Sequence, residues 1–421
     1  MHWLAIVGVA LLIGALSWGV AAAWHATVSD TAWAPGEPGR GASGSVRPSA
    51  QAPSPSPTPT RAPDATFTIA AAGDVLPHLP VLASARVPGS YDFAPLLAPL
   101  DPWIQGADLA LCHLEVPVAP PGVPVSGYPL FGTPPQIAAA LRAQGWDGCS
   151  TASNHSLDRG FAGIESTLSA LDSAGLGHVG TARTPTEAAQ PQLYVLERAG
   201  QSITVAHLAV TYGTNGMPID PDKPWSVRLA DPAAIIAQAV AARAAGADLV
   251  VVSVHCCVEY QSAPTPEQLA IDQALADSGV VDVVFGHHAH VPQPIAKLAG
   301  GPSGAGMWVF YGLGNYLSNQ DSDCCSPATD SGVLAEVTVV KPPDGPARVT
   351  AAEWTGVTVD RLGHHRTYAL PAIAAGAGTL SAAEVATRTA RVASAVGAQA
   401  PERTSPEVST GPPPTVVPRT P

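Results

Sequence analysis

Six short motifs, each following a run of apolar residues, hold the candidate chemistry of this chain. They are Ala72-Gly73-Asp74, His113-Leu114-Glu115, Ser153-Asn154-His155-Ser156-Leu157-Asp158, His255-Cys256-Cys257-Val258-Glu259, Gly286-His287-His288-Ala289-His290 and Gly314-Asn315. Asp, Glu, Asn and His coordinate metals through oxygen and imidazole nitrogen. Three imidazoles within four positions, His287, His288 and His290, are costly to pack without a role. In extended backbone His288 and His290 face one side, as do His113 and Glu115. This mixed nitrogen and oxygen set suits a divalent transition metal (Mn, Fe or Zn) better than Ca, and it is large enough for two ions. Two ions would clamp the attacking and leaving oxygens of a phosphoryl displacement. Asp74, Glu115, Asn154, His255, His288 and His290 are assigned to metal, with His113, Glu259, His287 and Asn315 as further site candidates. His155 is the candidate catalytic acid–base, and Asp158 the group that orients it. Each motif alone has a plainer reading. Asp74 could form a turn, His113 and Glu115 a buried salt bridge, and the segment from Ser153 to Asp158 the cap of a following helix. Their joint occurrence argues for one site assembled from distant sequence.

Ligands in α/β sheets bind just past the carboxyl ends of strands, so these motifs need strands directly before them. Apolar runs at 66–72, 108–114, 203–210, 248–254, 280–285 and 308–313 supply them, and 146–152 leads into the Asn-His segment. Further strands are expected at 332–340 and 349–359. Helical spacing marks 134–143, 161–174 with Gly175 as C-cap, 232–245, and 266–277 with Pro near its start and Gly279 past its end. Alternating strands and helices predict an α/β layered fold.

Of the 421 residues 46% are hydrophobic and only 13% charged, with 44 prolines and 40 glycines, which indicates a globular domain with low-complexity flanks. A net charge of −13 lacks the basic footprint of a nucleic-acid binder. Residues 4–23 are apolar over about the length of a bilayer crossing. Residues 1–25 therefore read as a signal-anchor or a signal peptide, a buried core helix being the plain alternative. Residues 31–65 are a Pro/Ser/Gly-rich spacer. Residues 66–372 form the expected domain, and 373–421 an Ala-rich segment, helical over 381–396, followed by a disordered Pro/Thr tail. The layout predicts a single-pass cell-membrane protein with an extracytoplasmic domain, or a secreted one if the signal is cleaved. Export permits disulfides. Cys256 and Cys257 could be tied to Cys324 and Cys325, or the four could hold zinc. Cys112 and Cys149 read as small buried residues or a third pair.

The motifs resemble those of the CapA capsule-synthesis family, the poly-γ-glutamate biosynthesis proteins, which is related in fold to calcineurin-like metallophosphoesterases. The family pattern runs strand-Gly-Asp, Asn-Leu-Glu, Asn-Asn-His-x-x-Asp-x-Gly, His-x-Gly-x-Glu, Gly-His-x-x-His and Leu-Gly-Asn-Phe. Here it appears in that order from Gly73-Asp74 to Leu313-Gly314-Asn315-Tyr316, with His113 in place of Asn and Cys257 in place of Gly. The resemblance implies a metallophosphatase-like two-sheet sandwich flanked by helices, and a dinuclear site. It also implies a cell-surface anionic polymer, or its synthesis machinery, as partner. Two functions follow as expectations: a metal-dependent hydrolase of a phosphoester or polymer amide, or a non-catalytic partner in polymer synthesis, export or anchoring. A polysaccharide-binding module is a third, to which nine Trp and eight Tyr, mostly scattered, give little support.

Overall fold

The computed structural model describes residues 62–421; the expected signal segment and nearly all of the spacer lie outside them. Among the described residues no helix is long and apolar enough to cross a membrane. The main strands of the first half are β1 (Ala65–Val75), β2 (Leu109–Leu114), β3 (Gly148–Ser150), β4 (Gly177–Val179), β5 (Gln192–Arg198) and β6 (Gln201–Thr211). Then follow β7 (Leu249–His255), β8 (Val283–His287), β9 (Ile295–Leu298), β10 (Met307–Phe310) and β11 (Asn315–Leu317). The last four are β12 (Ser331–Lys341), β13 (Arg348–Asp360), β14 (Arg366–Ala369) and β15 (Thr415–Val417). The first sheet has the order β14-β13-β12-β1-β2-β3-β4, with β11 pairing β1, and the second β9-β10-β8-β7-β6-β5-β15. Within each, the strands that carry the motifs run parallel, β1 with β2 and β7 with β8.

Alternation within the strands explains why two sheets stack between helices. Phe67, Ile69 and Ala71 of β1 point to the same core as Val205, Val251 and Phe285 of the second sheet. Ala70 and Ala72 face the other way, onto Leu141 and Leu171 of α1 (Gln136–Gln144) and α2 (Gly160–Ala174). Val250 and Val252 of β7 turn outward against Ile235 and Leu275 of α3 (Pro232–Ala244) and α4 (Pro266–Ser278). Both faces of each sheet are thus covered, as buried parallel strands require. The helix ends follow their sequence signals. Gly175 and Gly279 adopt the left-handed conformation at the C-termini of α2 and α4, and Thr265 with Gln268 forms a capping box on α4.

The chain end corrects an expectation. The Ala-rich segment is the helix α5 (Ala382–Val396), but residues 401–421 form no disordered tail. β15 pairs with the edge strand β5. The buried Arg419 donates to the carbonyls of His178 (2.6 Å), Glu187 (2.9 Å) and Thr181 (3.2 Å). Arg403 lies 3.1 Å from the carboxylate of Glu336, both side chains buried, with its guanidinium over the Trp103 ring. These ion-pair and backbone partners come from distant parts of the chain, so composition alone could not reveal them. An Arg403→Ala variant leaves Glu336 buried without its cation and is expected to lose about 3 kcal/mol in urea unfolding.

Asp272, on α4, is buried, and its Oδ1 has no hydrogen-bond partner. Burial pushes its carboxyl up to about 8. The folded state therefore holds a proton that the unfolded chain releases near pH 4, and stability falls as pH rises from about 4 to 8. An Asp272→Asn variant should flatten that slope and gain on the order of 2 kcal/mol at pH 8, read as melting temperature against pH.

Candidate metal centre

Parallel pairing places the motif residues side by side. Asp74 at the end of β1 is in register with His113 of β2 and Asn315 of β11. His255 at the end of β7 is in register with His287 of β8. The two sheets meet at these ends, where His113 Nε2 lies 2.9 Å from His255 Nδ1. Two motif glycines permit this approach. A Cβ at Gly73 would collide with the Gly314 carbonyl, and one at Gly286 with the Tyr311 carbonyl. The loop after β8 then turns through left-handed backbone at His288 (φ 82°) and His290 (φ 57°). Such strain in non-glycine residues persists where surrounding structure holds it, commonly at functional sites.

The result is a closed cluster of two carboxylates and five imidazoles, all buried. One atom each from Asp74, His113 and His255 lies within 4.8 Å of the others, and so does one each from Glu115, His288 and His290. Glu115 Oε1 is 3.6 Å from His290 Nε2 and 3.9 Å from His255 Nε2. Asp74 Oδ1 sits 3.3 Å from His287 Nδ1, yet neither atom has an aligned hydrogen-bond partner. Both carboxylate oxygens of Glu115, and Nδ1 of His288, also lack one. Buried polar atoms that converge without satisfying one another are what a bound cation would complete. The cluster is compatible with a metal site.

Its electrostatics agree. Burial drives His113 and His255 well below the ordinary imidazole value and His288 to about 3, so these rings are neutral, the form in which imidazole binds a metal. Burial opposes ionisation of Asp74 as well, but contacts from His287 and His290 outweigh it and hold the carboxyl well below its usual range. Burial likewise disfavours charge on His290, yet Glu115 and Asp74 overcome it and raise that imidazole to about 9. Burial pushes Glu115 up.

Around this floor the chain builds a cleft of about 670 Å³. His155 is at its wall. Its Nδ1 lies 2.7 Å from Asp158 Oδ2, which also accepts the Phe131 N–H at 2.7 Å, so Nε2 is the nitrogen left for the cleft. The Phe131 ring meets the imidazole edge-on at 4.8 Å. Asn154 Oδ1 is 2.8 Å from His255 Nε2.

All the sequence candidates therefore gather at one place, with differences of position. His113 and His287 lie inside the cluster, their rings stacked at 4.1 Å. Glu259 stands at the rim, 3.9 Å from His290 Nε2 and partly exposed. Asn315 lies behind the site, where its Oδ1 is 3.1 Å from His290 Nδ1. The expected bridge between the two cysteine pairs is not formed. Cys256 pairs with Cys257, Cys324 with Cys325, and Cys112 with Cys149. Cys324 and Cys325 line the cleft. His78, Tyr128, Phe131, Asn215 and Asn319 line it too and were not anticipated. Only His78, four positions after Asp74, carried any local signal.

The description "Bacterial capsule synthesis protein PGA_cap" fits residues 68–320. The chain belongs to this PGA_cap family. The PGA_cap span takes in every candidate ligand from Asp74 to Asn315, whereas β12 to β15 lie beyond it. A "Probable polyglutamine synthesis accessory protein" of Mycobacterium tuberculosis is 28% identical over 287 residues, 61% of this chain and 72% of that protein. The "Capsule biosynthesis protein CapA" of Bacillus anthracis is 29% identical over 189 residues, 44% of this chain and 43% of its own length. Among solved structures, the NAD nucleotidase of Haemophilus influenzae is similar with a TM-score of 0.44 and 13% identity, over 78% of this chain and 60% of that one.

Proposed function

We propose that this PGA_cap member is a metal-dependent hydrolase of a phosphoester, or of an amide, in the making or trimming of a cell-surface polymer. The carrying observation is the buried cluster in which Asp74 Oδ1 and both carboxylate oxygens of Glu115 converge without hydrogen-bond donors. Asp74, Glu115, His113, His255, His288 and His290 would hold one or two divalent transition metals, with Asn154 beside His255. Bound there, the metal would supply Lewis-acid polarisation of the scissile group. The protonated imidazole of His155 delivers the Nε2 proton to the leaving oxygen or nitrogen, and Asp158 holds Nδ1–H and stabilises that imidazolium. Phe131 keeps the imidazole against an apolar wall and limits water there. The apolar run at residues 4–23 and the spacer after it support an extracytoplasmic placement on a membrane tether, or secretion. The names of the relatives support work alongside polymer-synthesis machinery.

The test uses the purified full chain. Hydrolysis of bis(p-nitrophenyl) phosphate should appear with Mn²⁺, vanish on chelation and return on readdition. Absence of turnover with every divalent metal tried, on this ester and on γ-glutamyl amides, would favour the second reading. In that reading the protein is a non-catalytic accessory, which the word "accessory" in the Mycobacterium tuberculosis relative's name supports.

A further inference from the structure

The cleft above the cluster combines three kinds of surface. Aromatic and apolar faces are offered by Tyr128 (79% exposed), Tyr260 (37%) and Leu130 (45%), with Met217 beside them. Side-chain amides come from Asn215, Asn319 and Gln320. The only formal charges besides imidazoles are the carboxylates of Glu259 and Asp158. No Lys or Arg lines it, among the described residues.

Three cations from neighbouring segments are committed elsewhere. Arg159 donates to the backbone carbonyls of Phe131 (3.1 Å) and Leu130 (3.4 Å), behind the wall they form. Arg361 is paired with Asp321 and Asp323, beside the Cys324 turn. Lys223 is paired with Asp220 at 2.6 Å. The whole chain carries −13. A polyanion would thus find attraction only at the metal floor, and repulsion from Glu259 at the rim. Like charges set together across an interface are strongly disfavoured. Exposed ring faces, amides and a carboxylate instead match a ligand with apolar ring faces and many hydroxyl groups. Aromatic side chains supply area at low entropic cost, and amides and carboxylates fix the hydroxyls by hydrogen bonds.

We infer that the cleft binds a neutral carbohydrate chain, which presents its scissile ester to the metal floor. Tyr128 and Tyr260 stack on sugar rings, and Asn215, Asn319 and Glu259 bond their hydroxyls. The inference deepens the hydrolase reading and takes from it the position of the reacting group. Carbohydrate selection itself needs only the cleft.

The test is calorimetric titration of the full chain in detergent, in Mn²⁺ buffer, with cellotetraose, chitotetraose and γ-linked tetraglutamate. At least one neutral tetrasaccharide should bind, with little dependence on salt. Tyr128→Ala and Tyr260→Ala should each weaken it about tenfold, as loss of an aromatic anchor does. Both tyrosines sit at the rim, and circular dichroism checks that the variants fold. Glu259→Gln should improve tetraglutamate binding several-fold by removing the repelling charge. Tighter binding of tetraglutamate than of either saccharide, weakening steeply with salt, overturns the inference. So does failure of both saccharides to bind, or binding indifferent to both tyrosines. Hydrolysis of bis(p-nitrophenyl) phosphate, measured on the same samples, separates the two proposals. Tyrosine-dependent saccharide binding without turnover of this ester or of γ-glutamyl amides, with any divalent metal tried, retires the hydrolase reading alone, and turnover with salt-sensitive tetraglutamate binding retires the carbohydrate alone.

Discussion

Substituting His288 and His290 together by alanine is expected to strip the protein of bound metal. The wild-type full chain, purified with divalent transition metal, should carry one to two equivalents, and the double variant less than about a tenth of that, by elemental analysis. The reason is the geometry of the second triplet. His288 and His290 are two of its three members, and Glu115 alone cannot hold an ion against water. The Asp74, His113 and His255 triplet suffers too, because His290 contacts the Asp74 carboxylate at 3.0 Å. Hydrolysis should fall at least about 10³-fold, since the charge stabilisation supplied at the floor is lost. Stability gives an independent readout. Metal at 100 times its dissociation constant stabilises a fold by about 2.7 kcal/mol, and this increment should be present in the wild type and absent in the variant. Alanine in left-handed backbone costs roughly 1–2 kcal/mol per position. The His288→Gly/His290→Gly pair removes that penalty and should be equally metal-poor. A glycine pair that retains the full metal content would show that the two triplets are not the ligand set.

His155→Ala should leave metal content and fold unchanged while slowing hydrolysis about 10²–10⁴-fold, the usual contribution of a positioned acid or base. His155 is at the cleft wall, not in either triplet, so the ions keep their ligands. The loss should fall on kcat rather than KM, because the imidazole handles a proton and does not grip substrate. It should also erase one limb of the pH–rate profile. Asp158→Asn tests the positioning role, since it removes the carboxylate charge that holds Nδ1–H and stabilises the imidazolium. Its effect should be smaller than that of His155→Ala and should not add to it in the double variant. The amide oxygen can still accept the Phe131 N–H, so the cleft wall stays in place. A His155→Ala protein that turns over at the wild-type rate would remove this residue from the mechanism and leave the cluster intact.

Much of the site was legible because strand chemistry is local. An apolar run of five to eight residues that ends in Asp or His puts that residue at a sheet edge, whatever the rest of the chain does. Asp74, His255 and the His287–His290 group are such cases, and the structure gathers all of them. The interlocking glycines were legible as part of the same motifs. Two readings needed revision. The cysteine pairs close on themselves within their own loops, a matter of loop position that no spacing rule could supply. The last twenty residues, rich in Pro and Thr, would by composition stay unfolded, yet they lie against the sheets.

By itself, then, the sequence determined which residues could bind a metal, that they end strands, and that strands and helices alternate. These are properties of neighbours in the chain, governed by side-chain period and turn chemistry. The tertiary structure decided what depends on distant partners. It brought His113 of one sheet against His255 of the other. It chose Asp158 as the common acceptor for His155 and the Phe131 backbone. It set tyrosines and amides, but no cation, around the cleft. It anchored Arg419 on the carbonyl of His178, 241 residues earlier. A buried charge or polar atom must find its partner within a few ångströms, and only the folded chain fixes which residues lie that close.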